Sequence, residues 1–203
     1  MIDKFSKAYS YIFQPLIVPT LVFWLMFNFY PLIHVSEAYQ HFLLLLSVLF
    51  TFVFPAFMLI GMYRLGWIGS MDIRDRKERI VPYLVTVFFY GIMLWLMYQK
   101  DVHVSYLIPV LSMIFSIIVA TIITLFWKVS AHLVAYGGLL GLLCRLSFNF
   151  YSTTLVWVFI LSILLTGILM FVRIQLKAHT LAQVYVGFLL GFMVSYLSSY
   201  LIF

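Results

Sequence analysis

The sequence specifies an all-α polytopic integral membrane bundle of six to seven transmembrane helices, and three observations require it. The 203 residues are 66% hydrophobic and only 9% charged, against about 45–50% and about 25% in a soluble globular domain. A water-soluble fold of this length cannot hide that much apolar surface, whereas a bilayer solvates it. The apolar residues also fall into runs close to the roughly 20 residues that a helix needs to cross hydrocarbon, and the charges collect between those runs.

Taken in order, the first run is Ser10 to Tyr30, which carries Pro15, Pro19 and Asn28. Lys4 and Lys7 precede it. The run is too long for a signal-peptide core and no small-residue cleavage site follows, so it reads as a first span or anchor. The others are Phe42 to Tyr63, Ile80 to Tyr98, Val104 to Trp127, Ala131 to Phe148, Thr154 to Val172 and Thr180 to Phe203. Loops are short except Arg64 to Arg79, which holds five basic and three acidic residues. No repeat or linker divides the chain, so residues 1–203 form a single transmembrane domain. The lone Cys144 excludes an internal disulfide. Gly187 and Gly191 form a GxxxG pair, which with Gly137, Gly138 and Gly141 reads as close helix packing inside the bundle, ahead of a possible homodimer contact. Arg145, near the far end of its span, is expected to snorkel to the other interface.

Three polar clusters stand out. The first is Asp72-Ile73-Arg74-Asp75-Arg76-Lys77-Glu78-Arg79, followed by Pro82. The second is Lys128-Val129-Ser130-Ala131-His132. The third is Arg173, five residues, His179, then Gln183 four further on. An even number of crossings separates each cluster from the next, so all three fall on one face. Each also immediately precedes a span. Pro82 suits a first helical turn, and Ser130 and Thr180 suit N-caps. Helix starts present unpaired N–H groups and the positive end of the dipole, and three of them facing one spot favour an anion, above all phosphate.

A phosphoryl site needs cations to hold oxygens and offset charge in the transition state. Arg74, Arg76, Arg79, Arg173, Lys77 and Lys128 are candidates, the arginines because their planar fork binds two oxygens at once. A histidine nucleophile splits hydrolysis into two easier steps, and a second histidine protonates the leaving group. His132 and His179 offer that pair, and Gln183 shares a helix face with His179 and is placed to hold its tautomer. The net charge of +6 sits at the ends of apolar runs, which points to lipid phosphates and not to nucleic acid.

These residues resemble the motifs of the type 2 phosphatidic acid phosphatase superfamily, which also contains the vanadium haloperoxidases. That family carries a basic residue, six others and Arg-Pro; then Pro-Ser-Gly-His; then Ser-Arg, five residues, His, three residues, Asp. Here Val129-Ser130-Ala131-His132 keeps the Ser and His of the second motif. Val172-Arg173, His179 and Gln183 keep the Arg-to-His spacing of the third, without its Ser and Asp. In the first, Pro82 matches, Val81 replaces the arginine and Arg79 is placed to supply the missing cation. The resemblance covers roughly residues 70 to 195, within a family-like core of about 42–203. It implies His179 as nucleophile, His132 as general acid, and Arg173 with the Ser130 backbone N–H and hydroxyl as phosphate ligands. It further implies a lipid phosphate or isoprenoid pyrophosphate substrate, a phosphohistidine intermediate and no metal or cofactor. Glutamine at 183 accepts the same imidazole N–H as aspartate but adds no negative charge. That leaves a slower enzyme, a carboxylate relocated to Asp75 or Asp72, or a protein that only holds phosphate.

Two other functions compete: a non-catalytic phospholipid-binding or scaffold protein on the same fold, and a polyprenyl transferase using Asp72 and Asp75, which lacks the second Asp-rich loop such enzymes need. The cluster face carries Lys4, Lys7, Arg64, Arg74, Arg76, Lys77, Arg79, Lys128, Arg173 and Lys177, against Lys100 and Arg145 opposite. The positive-inside rule therefore expects a cytoplasmic site face, in the inner membrane of a bacterium.

Overall fold

The computed structural model describes residues 2–30, 35–71, 73 and 75–202. Expectations that rest on Asp72 and Arg74 lie outside the described residues. Among those described there is no strand, and seven helical stretches are long and apolar enough to cross a membrane. The chain is an all-α integral membrane bundle.

The first span is broken, as its prolines demand. Helix α1 (Ile2–Ile12) stops, a 3-10 turn forms at Pro15–Ile17, and α2 (Val18–Phe29) restarts with Pro19 in its first turn. Proline supplies no N–H to the ladder and tolerates only such a first-turn position. The break exposes the Leu16 carbonyl within the bilayer, where an unsatisfied group is costly. Thr51 Oγ1 donates to it at 3.3 Å. Thr51 belongs to a π-helical turn, Val48–Val53, that joins α3 (Glu37–Ser47) to α4 (Phe54–Arg64). Pro55 lacks the N–H that would continue the α ladder, and the Phe54 N–H reaches back to Leu49 O instead. This second span begins at Glu37 and not at Phe42, because Ser36 caps it by accepting from Tyr39 N. It closes on a Schellman motif with Gly66 at φ +74°, the Trp67 N–H bonding Met62 O and the Gly66 N–H bonding Tyr63 O.

Five further helices follow: α5 (Ile80–Gln99), α6 (Val104–Phe126), α7 (Ala131–Asn149), α8 (Thr153–Gln175) and α9 (Leu181–Ser198). Pro82 sits in the first turn of α5, as expected. Helix α8 continues past Val172, so Arg173 lies inside its last turn and not beyond its end.

Contacts at both ends show that the broken first span crosses the bundle. Ser10 meets Arg173 in the last turn of α8 and His132 in the first turn of α7. Tyr30 meets Ser105 at the start of α6 and Phe150 just past the end of α7. Arg145 also lies toward that second end, where its guanidinium stacks 3.8 Å over the Tyr200 ring.

The tightest packing joins α7 to α9, backbone against backbone. A Cβ added at Gly191 would lie 1.9 Å from Val134 O, and one at Gly137 would lie 2.2 Å from Phe188 O. The GxxxG pair of α9 is thus spent within the chain, as small residues at a membrane helix crossing allow. Gly191→Ala must push the two helices apart and should destabilise the protein by about 1–3 kcal/mol. Gly167→Ala, where nothing lies within 4 Å, should be neutral or slightly stabilising through helix propensity. Thermal unfolding of both variants in detergent checks the contrast.

Candidate functional site: a cationic pocket at one end of the bundle

Three helix starts converge at the Ser10 end of the bundle. Arg79, the residue before α5, is buried and donates through Nε to Ile73 O at 2.9 Å and through Nη1 to Val129 O at 3.2 Å. The same Nη1 lies 3.4 Å from His179 Nε2. The Ser130 N–H donates to Gln183 O at 3.3 Å, tying the start of α7 to the start of α9. Thr180 caps α9 in a full capping box: its side chain accepts from Gln183 N, and Gln183 Oε1 accepts from Thr180 N at 3.2 Å.

His179 is held in one tautomer. Gln183 Oε1 lies 3.1 Å from Nδ1, and because that oxygen already accepts the Thr180 N–H it also accepts the Nδ1 proton. Arg79 only donates, so Nε2 carries the lone pair. Burial first, then the charges of Arg79, Arg173 and Lys128, push the His179 pKa well below its ordinary 6.5, against the Gln183 bond. The imidazole is neutral at neutral pH. His132 is bound the other way. Its Nε2 lies 3.3 Å from Ser10 O, and a carbonyl only accepts, so this nitrogen bears the proton.

Arg173 Nη1 donates to Ser10 Oγ at 2.7 Å, and the same hydroxyl lies 3.5 Å from His132 Nε2. Around these groups is a pocket of about 120 Å³, lined by Lys7, Ser10, Arg79, Lys128 and Arg173 among others, with no acidic residue in its wall among the described residues. Ser10, Arg79 and Arg173 are also walls of a larger cavity of about 280 Å³ that includes His132 and runs into the bundle.

Several expected site residues lie elsewhere. Arg76 hydrogen-bonds the Leu125 carbonyl and so caps the end of α6. Lys77 is exposed and lines neither cavity. Asp75 is exposed and its Oδ1 accepts from Lys77 N at 2.9 Å, so it is not the partner of His179, whose Nδ1 is already taken. Ser130 occupies the N-cap position of α7 but makes no capping bond. It is fully buried, its N–H belongs to Gln183, and it lines neither cavity. It therefore cannot offer that N–H to phosphate. His179 lines neither cavity itself; its Nε2 faces the Arg79 guanidinium, which does line both.

Two residues at this end escape a motif search, Ser10 and Lys7. The signal for them was faint: Ser6, Tyr9 and Ser10 form a helix face that is buried, while Phe5, Tyr11 and Ile12 face out. An N-terminal helix with its polar face inward needs polar partners within the bundle. Comparison with protein-family models, with curated proteins and with solved structures returns no match.

The neutral His179 sets a pH dependence. Its folded pKa is lowered, so the unfolded chain binds more protons below about 6.5, and stability falls as pH drops through that value. His179→Asn should remove up to one proton from this linkage, flattening the acid-side slope by about 1.4 kcal/mol per pH unit at most. Denaturation of both proteins from pH 7.5 to about pH 4.5 measures the difference.

Proposed function

We propose that this protein is an integral membrane lipid phosphatase, which binds the phosphate or pyrophosphate head of a lipid in the cationic pocket and hydrolyses it through His179. The observation that carries the reading is the pocket wall: Lys7, Arg79, Lys128 and Arg173 gathered in one place, beside an apolar cavity that shares Arg79 and Arg173. Such a wall raises the local concentration of anions and pays for charge that develops on phosphoryl oxygens. The motif resemblance to the type 2 phosphatidic acid phosphatases supports the same chemistry.

In the proposed reaction Arg79 leaves Nε2 for a phosphate oxygen. The lone pair of the neutral His179 attacks phosphorus, forming an N–P bond as the bond to the lipid oxygen breaks. His132, carrying a second proton on Nδ1 taken up with the anionic head, passes its Nε2 proton to that departing oxygen and is left a neutral imidazole; the product is a lipid alcohol, or a lipid monophosphate when the substrate is a pyrophosphate. Water then attacks phosphorus, the N–P bond breaks, inorganic phosphate leaves and a water proton restores His132. Gln183 holds the Nδ1 proton throughout and orients the ring. Aspartate there would stabilise the charged ring more strongly.

A second reading, retention of the lipid head without turnover, is favoured by one contact: the Arg79 guanidinium at 3.4 Å from the His179 nitrogen that must attack. Phosphate release from long-chain lipid phosphates by the purified protein separates the two. Wild type should be active. His179→Ala should lose ~10³-fold or more, as removal of a nucleophile does, and His132→Ala about 10²–10⁴-fold, as loss of a general acid does. An inactive wild type that binds these lipids and is not rescued by Gln183→Asp supports retention instead.

We also place the pocket face on the cytoplasmic side of a bacterial inner membrane, on the charge asymmetry of the loops. A cysteine introduced at the exposed Lys77 should react with an impermeant maleimide only in inside-out vesicles. Reaction in right-side-out vesicles alone would reverse the orientation.

A further inference from the structure

The larger cavity has one polar end and a long apolar remainder. At its mouth lie Ser10, Arg79, His132 and Arg173. Below them the lining follows α7 from Ala131 to Leu142 and the antiparallel α6 from Ala120 to Pro109. At about 1.5 Å per residue, each stretch rises about 16 Å. The two stretches agree although the helices run in opposite directions, so the cavity extends about that far along the bundle axis.

Three hydroxyls in the wall are turned back onto their own helices, while Tyr83 Oη is buried without a hydrogen-bond partner among the described residues. Ser112 Oγ donates to Pro109 O at 2.8 Å, Ser116 Oγ to Ser112 O at 2.8 Å, and Thr86 Oγ1 to Pro82 O at 2.9 Å. Each is bonded back to its own helix and leaves its carbon atoms toward the cavity. Below the mouth the wall therefore asks for hydrocarbon. Interiors are close-packed, and an apolar void of this size forfeits contacts on every side until something apolar fills it.

The cavity holds about 280 Å³ and runs about 16 Å from its polar mouth. We infer that this cavity seats a hydrocarbon chain of a lipid phosphate, with the head at Arg173 and the chain end between Pro109 and Leu142.

The head placement rests on the phosphate reading above; the chain placement rests on the cavity alone. The chain is thereby drawn inside the bundle, and not left between outward-facing side chains such as Phe115 and Ile118, which are exposed on α6. Pro109, Leu139 and Leu142 line the far end of the cavity.

The test uses the purified full chain in nanodiscs with dodecyl phosphate carrying a diazirine at its last carbon. The same chain ending in an alcohol is the uncharged control. After illumination, adducts are mapped by peptide mass spectrometry. Adducts should fall on residues 109–113 and 139–142. Gly138→Leu and Ala135→Leu should abolish those deep adducts. The first carbon of the Gly138 substitution meets only ordinary contacts, 3.7 Å from Gly191 O, and circular dichroism verifies the fold of each variant. Adducts on Phe115 and Ile118 in wild type, or deep adducts retained in both variants, overturn the inference. The phosphate reading separates cleanly. Arg173→Gln should lower the phosphate probe's yield about tenfold, the value of one charged hydrogen bond, and leave the alcohol's yield unchanged. If phosphate and alcohol label the deep residues equally in wild type, the head reading fails and the chain seat stands. If phosphate is preferred but labels outward residues, the chain seat fails and the head reading stands.

Discussion

Backbone contact between α7 and α9 is the constraint on which the rest of this structure depends. In hydrocarbon, apolar side chains gain little by meeting one another, and helices associate by close packing. Gly137, Gly141, Gly187 and Gly191 let the two backbones approach until no Cβ would fit at their crossing. That approach sets the register of the two helix starts. It brings the Ser130 N–H within reach of Gln183 O, so the loop carrying Val129 and the loop carrying His179 lie side by side. Arg79 then bonds both at once, to the Val129 carbonyl and to the His179 ring. The glycines lie one and more turns below the site and touch none of its polar groups, yet they decide where those groups meet.

Polar groups within the bundle are held by the same economy of partners. Thr51 shares its hydroxyl proton between Ser47 O and the Leu16 carbonyl that Pro19 leaves without an N–H, and Arg76 serves the Leu125 carbonyl at the end of α6. Arg79 has carbonyls and an imidazole as partners. Those partners satisfy hydrogen bonds without neutralising positive charge. Burial first, then the charges of Arg79, Arg173 and Lys128, keep His179 neutral, and the same charges favour an anionic guest at the pocket. The cavity beneath has the opposite character: its lining is mostly apolar, and Thr86, Ser112 and Ser116 turn their hydroxyls back onto their own helices. Charge at one end and hydrocarbon along the remainder describe the shape of an amphiphile.

Much of this was legible in the residues. The crossings follow from apolar run length, and the convergence of the three clusters follows from the alternation of crossings. The pairing of His179 with Gln183 follows from helical spacing, since residues four apart share a face. The capping box at Thr180 was half legible: the cap was expected, and its closure by Gln183 uses the same oxygen that holds the histidine. Local rules failed where a distant element supplied a better partner. Ser130 looks like a cap, but its N–H is claimed by α9 and its side chain is buried. Arg76 looks like a phosphate ligand, but the end of α6 lies closer.

What the sequence by itself determined is a helical membrane protein with its cations gathered at one end, because hydropathy and crossing parity are properties of order along the chain. The tertiary structure alone decided which of those cations share a pocket. Ser10 meets Arg173 across a separation of 163 residues, and no periodicity or motif spans that distance. It also decided the cavity, which exists only where α2, α5, α6 and α7 fail to fill the space between them. A void is the difference between packed surfaces, and a string of residues does not record it.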